Sequence, residues 1–286
     1  MSTFTRMSVL ILLCATSLFA QDGKSIHQLQ HEQHEDTSYQ QELVNVQPGI
    51  EVLFREHVYD LYGKSVGLVV NHTAVDKERV HLVDRLVEHE QITIRAIFAP
   101  EHGYRGEAAA GQEIKDGIDP VSGAKVYSLY GMNRMPSGEM LEGIDVLIYD
   151  IQDVGVRFYT YISTMGYTMQ AAAGQGIEFW VLDRPNPITG YILDGPMLRR
   201  DYRSFVGLYP IPIRYGLTPG ELALMLNGEE WLDFPDDFNP KIIAMEGWGR
   251  DLWYDETDLP WVAPSPNMPD LETATVYPGL CFIEGT

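Results

Sequence analysis

Four short strings of polar residues carry the chemistry this sequence can offer, and each directly follows an apolar run. They are Asn71-His72-Thr73, Pro100-Glu101-His102-Gly103-Tyr104-Arg105-Gly106, Asp150-Ile151-Gln152-Asp153 with Gly155 and Arg157 beyond it, and Asp183-Arg184-Pro185-Asn186-Pro187. Glu101 has the most suggestive setting. Pro100 fixes the backbone before it, and Gly103 and Gly106 allow a ligand close approach. A carboxyl partly withdrawn from water in such a loop can hold its proton and deliver it to a leaving oxygen as a general acid. A structural ion pair with Arg105 or Arg157 is the other use of the same residue. Asp150 and Asp153 are open between a direct chemical role, hydrogen bonds from sugar hydroxyls, helix capping and pairing with Arg157. Asp183 either bonds Arg184 and loop amides or meets substrate. Asn71, Arg157 and Asn186 have the donor groups for an N-acetyl or carboxylate group. Tyr104, Tyr159 and Tyr161 offer flat faces for a sugar ring.

Other patterns fail on their context. Gly63-Lys64-Ser65-Val66-Gly67 has the letters of a nucleophile elbow, but it precedes a strand instead of joining strand to helix. No dinucleotide fingerprint follows the first strand. His72, His102, Asp150 and Asp183 are suitable zinc ligands by type, yet no close histidine pair anchors a site, so neither metal nor other cofactor is expected.

The elements that must position these strings alternate. Ile50 to Tyr62 has apolar residues at helical spacing and stops at Gly63. Ser65 to Val70 is a buried strand, Arg79 to Glu90 an amphipathic helix with Val80, Val83, Leu86 and Val87 inward, and Ile92 to Phe98 a second strand. Ile144 to Tyr149 is a strand, Thr164 to Gly174 a helix and Ile177 to Leu182 another strand. Unbroken apolar strands alternating with helices predict an α/β fold, a parallel sheet covered by helices on both faces. In such a sheet ligands bind beyond the carboxyl ends of the strands, where the four strings lie. After Leu198 prolines break the chain into short pieces. A helix runs from Thr218, as N-cap, to Asn227, with Pro219 first and Glu221 third, and Lys241 to Met245 suits a strand. The expected division is therefore 49–198 as the α/β domain and 199–286 as a smaller α+β C-terminal domain.

Residues 1–20 have a basic start at Arg6, an apolar run from Met7 to Ala15 and a cleavage-like Leu18-Phe19-Ala20, the pattern of a signal peptide. Residues 21–48, rich in Gln, His, Glu and Asp, read as a flexible polar leader, with His27, His31 and His34 as solvated linker residues. No later run is long and apolar enough for stable membrane insertion. A secreted or periplasmic protein is expected. The formal net charge is −21 over 286 residues, without a basic cluster, which argues against nucleic acid as a partner. Of the two cysteines only Cys281 lies beyond the leader, so it is read as a small buried hydrophobe.

Longer motifs carry a family resemblance. Gly67-Leu68-Val69-Val70-Asn71-His72-Thr73, Phe98-Ala99-Pro100-Glu101-His102-Gly103-Tyr104-Arg105-Gly106, the run from Tyr149 to Tyr161, Asp183-Arg184-Pro185-Asn186-Pro187 and Pro264-Ser265-Pro266-Asn267-Met268-Pro269 resemble the NamZ-type exo-β-N-acetylmuramidases. The likeness runs from about Gly49 to Thr286. It implies a Rossmann-like domain, a smaller C-terminal domain with a cleft between them, and cofactor-free release of terminal N-acetylmuramic acid from peptidoglycan-derived saccharides. It places the family's catalytic glutamate on Glu101. Members of the family continue past Glu284-Gly285-Thr286, so an incomplete C-terminal domain is expected here. The site set is Glu101, Asp150 and Asp153 for catalysis, with Asn71, His72, His102, Arg105, Gln152, Arg157, Tyr159, Asp183 and Asn186 for substrate. A non-catalytic muropeptide- or sugar-binding protein and a metal-dependent hydrolase are the alternative readings.

Overall fold

Alternation along the strands decides the architecture. The computed structural model describes residues 43–101, 103–106, 116–131, 133–229 and 231–283. In β1 (Ser65–Val70), Val66, Leu68 and Val70 enter one core and Val69 the other. The same split recurs in β2 (Thr93–Ala99), β5 (Val146–Asp150) and β6 (Glu178–Leu182), where Ile97, Ile148 and Trp180 lie on one face and Phe98, Tyr149 and Phe179 on the other. A strand buried on both faces has no polar side to show, which is why its sequence is a continuous apolar run.

The seven strands are ordered β3-β4-β2-β1-β5-β6-β7, with β3 (Gly117–Ile118), β4 (Lys125–Ser128) and β7 (Lys241–Ile243) completing the set. All neighbours pair in parallel except β3 with β4. From β1 the chain winds outward through β2 and β4, then returns past β1 and winds the other way through β5, β6 and β7. Strand order thus reverses between β1 and β5, and a crevice forms there at the carboxyl edge.

Helices cover both faces. On one lie α1 (Gly49–Val52) and α2 (Leu82–Val87), and on the other α3 (Tyr161–Gly174) and α4 (Pro219–Gly228). The segment expected as one helix from Ile50 to Tyr62 changes hydrogen-bond pattern twice. After α1 it becomes a π turn over Leu53–His57 and a 3₁₀ turn over Val58–Leu61. Helix α2 is shorter than expected. Arg79 sits at φ 65, outside helical geometry, and His81 caps the helix by accepting from the Val83 amide at 3.2 Å. Val80 and Val87, expected inward, are each 39% exposed. Helix α3 starts three residues before the expected Thr164, at Tyr161. Helix α4 has the capping box its sequence announces, Thr218 accepting from the Glu221 amide and Glu221 from the Thr218 amide.

The segment after Leu198 contributes to the same body. β7 extends the sheet beside β6, and Leu222, Ala223 and Leu226 of α4 share a core with Met165 and Met169 of α3. Residues 43–283 fall within one compact unit. Helix α5 (Leu271–Leu280) was not foreseen; it begins on Asp270, whose side chain accepts from the Thr273 amide. The last residues assigned to the polar leader are docked: Val44 bridges to Thr257, Gln47 to Glu246, and Val46 is buried. The signal-peptide reading of 1–20 and most of the leader fall outside the described residues. No helix among the described residues is long and apolar enough to cross a membrane.

Candidate functional site

A cavity of about 250 Å³ opens at the reversal of strand order, lined by Glu101, Phe158, Tyr159, Thr160, Tyr161, Val206, Ser265, Asn267, Met268 and Tyr277. Three stretches build it, with Val206 as a further lining residue. Glu101 stands two residues past the end of β2, and the Tyr130 hydroxyl hydrogen-bonds its carboxyl from beyond β4. Burial and the charge of Glu101 together push the Tyr130 phenol above its ordinary range. The second stretch, Phe158 to Tyr161, connects β5 to α3. The third is the proline-rich segment holding Ser265, Asn267 and Met268, backed by Tyr277 of α5.

Aromatic rings give the cavity its walls. Tyr159 meets Tyr161 edge-on at 5.0 Å and Tyr277 at 6.0 Å, and Phe158 meets Tyr277 at 5.4 Å. Burial raises the phenols of Tyr159 and Tyr161 well above the ordinary tyrosine value, so both remain protonated at neutral pH. Tyr161 is fixed at both ends: its carbonyl accepts from the Tyr149 hydroxyl at 3.2 Å, and its own hydroxyl donates to the Pro264 carbonyl at 2.6 Å. Rings plus an amide, hydroxyls and a single carboxyl suit a sugar, whose faces are apolar and whose rim is polar.

Of the residues singled out from sequence, Glu101, Tyr159 and Tyr161 line this cavity. Asn71 and His72 stand just behind it. The Asn71 carboxamide accepts from the amide and hydroxyl of Thr73 at 2.9 and 2.6 Å, and its side chain also meets the Tyr161 hydroxyl. His102 lies outside the described residues.

The others are occupied elsewhere. Asp150 is fully buried in a two-pronged ion pair with Arg184, at 2.5 and 2.9 Å. Burial opposes the Arg184 charge, but the Asp150 carboxylate more than offsets it and holds the guanidinium above its ordinary range. Asp153 accepts from the Gly155 amide at 2.7 Å and from the Tyr215 hydroxyl; burial raises its carboxyl to about 6 against those bonds. Asp183 faces the start of α4, accepting from the Gly220 amide at 2.7 Å and the Thr218 hydroxyl at 2.9 Å, and burial lifts it to about 6. Arg105 grips Asp84 at 2.7 and 2.8 Å rather than Glu101, and that pairing holds it above its ordinary range. Arg157 donates to the carbonyls of Pro196 and Ile211, at 2.8 and 2.5 Å, and pairs with neither Asp150 nor Asp153. Gln152 donates to the Asp153 and Pro185 carbonyls, both at 2.8 Å, beside a hollow of about 10 Å³ that has room for no more than a water. Asn186 donates to the Leu217 carbonyl at 3.0 Å and accepts from the Ile188 amide.

His72, Asp150 and Asp183 do not gather as metal ligands. Among the described residues the group with suitable spacing is Glu51, Asp76 and Glu78, two of which already face Arg85. The lining residues Val206 and Tyr277 had no signal in sequence beyond ordinary packing chemistry, and Thr160 was visible only within the Tyr149–Tyr161 motif. Ser265, Asn267 and Met268 were visible only as part of a long family motif.

A doubly wound α/β sheet with a carboxyl-bearing, aromatic-walled cavity at its switch point defines the class: an α/β protein with a saccharide-sized pocket on its carboxyl edge. Comparison with known proteins sharpens this. Residues 66–272 match the model of the family described as exo-beta-N-acetylmuramidase NamZ, N-terminal, and the chain belongs to that family. It is 49% identical over 241 residues to the peptidoglycan beta-N-acetylmuramidase NamZ of Bacillus subtilis (strain 168), covering 84% of this chain and 57% of the relative. Two crystal structures of DUF1343 family proteins from Bacteroides fragilis NCTC 9343 share the fold. One has TM-score 0.78 at 46% identity, covering 84% of this chain and 60% of that one; the other has 0.72 at 39%, covering 85% and 62%. The chain therefore spans about three-fifths of the length of the relatives it matches.

Proposed function

We propose that this protein is a glycoside hydrolase that releases N-acetylmuramic acid from the non-reducing end of peptidoglycan fragments, with Glu101 delivering a proton to the leaving oxygen. The observation that carries the reading is the placement of Glu101: a half-buried carboxyl on the wall of a cavity lined otherwise by aromatic rings, hydroxyls, one amide and the apolar Val206 and Met268. The named activity of the Bacillus subtilis relative supports it. The signal-like residues 1–20 agree with action outside the cytoplasm, where peptidoglycan lies.

Among the described residues lining the cavity, Glu101 is the sole carboxylate. Asp150 and Asp153 are turned to Arg184 and Tyr215, so a pair of carboxylates flanking the bond is not provided by them. In this reading the substrate's own acetamido oxygen assists departure. Asn267, exposed at the mouth, and Ser265 can hydrogen-bond the sugar rim.

Turnover of a chromogenic N-acetylmuramic acid glycoside tests the reading. Glu101→Gln keeps shape and removes the transferable proton, so kcat is expected to fall roughly 10²–10⁴-fold while melting temperature stays put. A Glu101→Gln protein as active as wild type would overturn it. Saturable sugar binding with no product in wild type would point to a binding protein instead.

A further inference from the structure

We propose that His72 is a positioning residue that ties the loop after Glu101 to the segment holding Ser265, Asn267 and Met268 without touching substrate. The inference rests on the reading of that cavity as the hydrolytic site. His72 follows β1, the strand at the centre of the sheet, and is not among the residues that line the cavity. Its ring is held on one side by the loop that begins at Glu101. A Cβ on Gly106 would come within 2.8 Å of His72 Cγ and 3.1 Å of Nδ1, so the ring lies directly against the glycine backbone. Gly106 also has φ +75, which excludes most side chains independently.

On the other side His72 Nε2 is 2.7 Å from the Ala263 carbonyl. A carbonyl only accepts, so Nε2 carries a proton and donates, whether the ring is neutral or charged. The following carbonyl, Pro264, accepts from Tyr161. Two side chains from the sheet's carboxyl edge therefore hold consecutive carbonyls of one segment. That segment needs such anchors. Pro264, Pro266 and Pro269 have no N–H, so sheet-like pairing cannot secure it. Just beyond the anchored carbonyls are Ser265, Asn267 and Met268, which line the same cavity as Glu101. His72 thus sets the distance between the proton donor and the groups that orient the sugar.

The test compares wild type, His72→Ala, His72→Gln and Gly106→Ala in two assays. Hydrogen exchange of the peptide spanning residues 261–268 reads the anchor without any need for turnover. His72→Ala and Gly106→Ala are expected to speed it about tenfold, the loss of one partly buried hydrogen bond, with β5 unchanged. His72→Gln, whose amide can still donate, should restore much of the protection. Turnover of the N-acetylmuramic acid glycoside should fall about 10–100-fold in kcat/KM in the same order, since small misplacements of reacting groups cost that much. The shape of the pH profile should not change. Unaltered exchange in His72→Ala would overturn the proposal. So would a turnover loss that is equal in the Gln variant and removes a limb of the pH profile, because that marks direct proton transfer. A wild-type protein with no turnover would overturn the hydrolase reading instead, and exchange would still decide the role of His72.

Discussion

Asp150 and Arg184 lie 34 residues apart in sequence and form a fully buried pair. Breaking such a pair strands a charge in the interior. Asp150→Asn should destabilise the protein by about 3 kcal/mol, read as a lowered denaturant midpoint with unchanged slope. A change under about 0.5 kcal/mol, the range of ordinary surface substitutions, would mean that the pair is not isolated from water. Strand-end position marked Glu101, Asp150 and Asp183 alike as chemistry-bearing, because residue type and register reveal which edge a side chain reaches but not its partner. Asp150 meets the guanidinium that follows the next strand, and Asp183 meets the Gly220 amide and Thr218 hydroxyl at the start of a helix 37 residues on. Glu101 stood out because its flanking proline and glycines make a loop open to ligand, and that is where the structure puts it.

Helix α3 carries one wall of the cavity at its first turn, so its seating matters more than its intrinsic stability. Gly166 lies in its middle, against the Tyr209 ring; a Cβ there would collide with the Tyr209 hydroxyl, which donates to the Ile162 carbonyl at 3.1 Å. Alanine would favour an isolated helix by about 1 kcal/mol. Gly166→Ala is nevertheless expected to lower the melting temperature by several degrees, with partial rescue by Tyr209→Phe, which removes the clashing oxygen. Stabilisation by Gly166→Ala would contradict the packing described. The central strands and helices α3 and α4 were legible because burial on two faces and a capping box leave strong patterns. Strands β3 and β4 were not, being two and four residues long. Helix α5 escaped because it contains Pro278 and little of it is buried, so no apolar period marks it. The change from α to π to 3₁₀ between Gly49 and Leu61 leaves the apolar spacing nearly intact and is invisible to periodicity.

Among the described residues two cores flank one sheet, and the segment after Leu198 adds β7 to that sheet. Its proline-rich texture reflects short elements, and composition cannot encode that they reach the sheet edge and the cavity lining. Two buried carboxyls in this body, Asp153 and Asp183, titrate near 6 in the fold against an ordinary 3.8. A raised carboxyl means that the fold holds protons the open chain has already released. Their contribution is therefore neutral below about pH 4, turns destabilising as pH rises through 6, and is complete above about pH 7. Carboxylates held low by partners, such as Asp84 beside Arg105, slope the opposite way, so the difference between variants is the informative quantity. Relative to wild type, Asp153→Asn should gain on the order of 2 kcal/mol between pH 4.5 and 7.5 in denaturant titrations. A difference that does not vary with pH would rule out the buried titration.

The central claim is that the hollow between Glu101, the Tyr159–Tyr161 turn and the Ser265–Met268 segment is where the terminal sugar is held for cleavage. Its most direct test is a crystal structure of the Glu101→Gln protein with a disaccharide bearing N-acetylmuramic acid at its non-reducing end. The account predicts that sugar inside the cavity, its glycosidic oxygen within hydrogen-bonding reach of residue 101 and its rim against Asn267. Density for the disaccharide elsewhere on the protein, with this cavity empty, would contradict it.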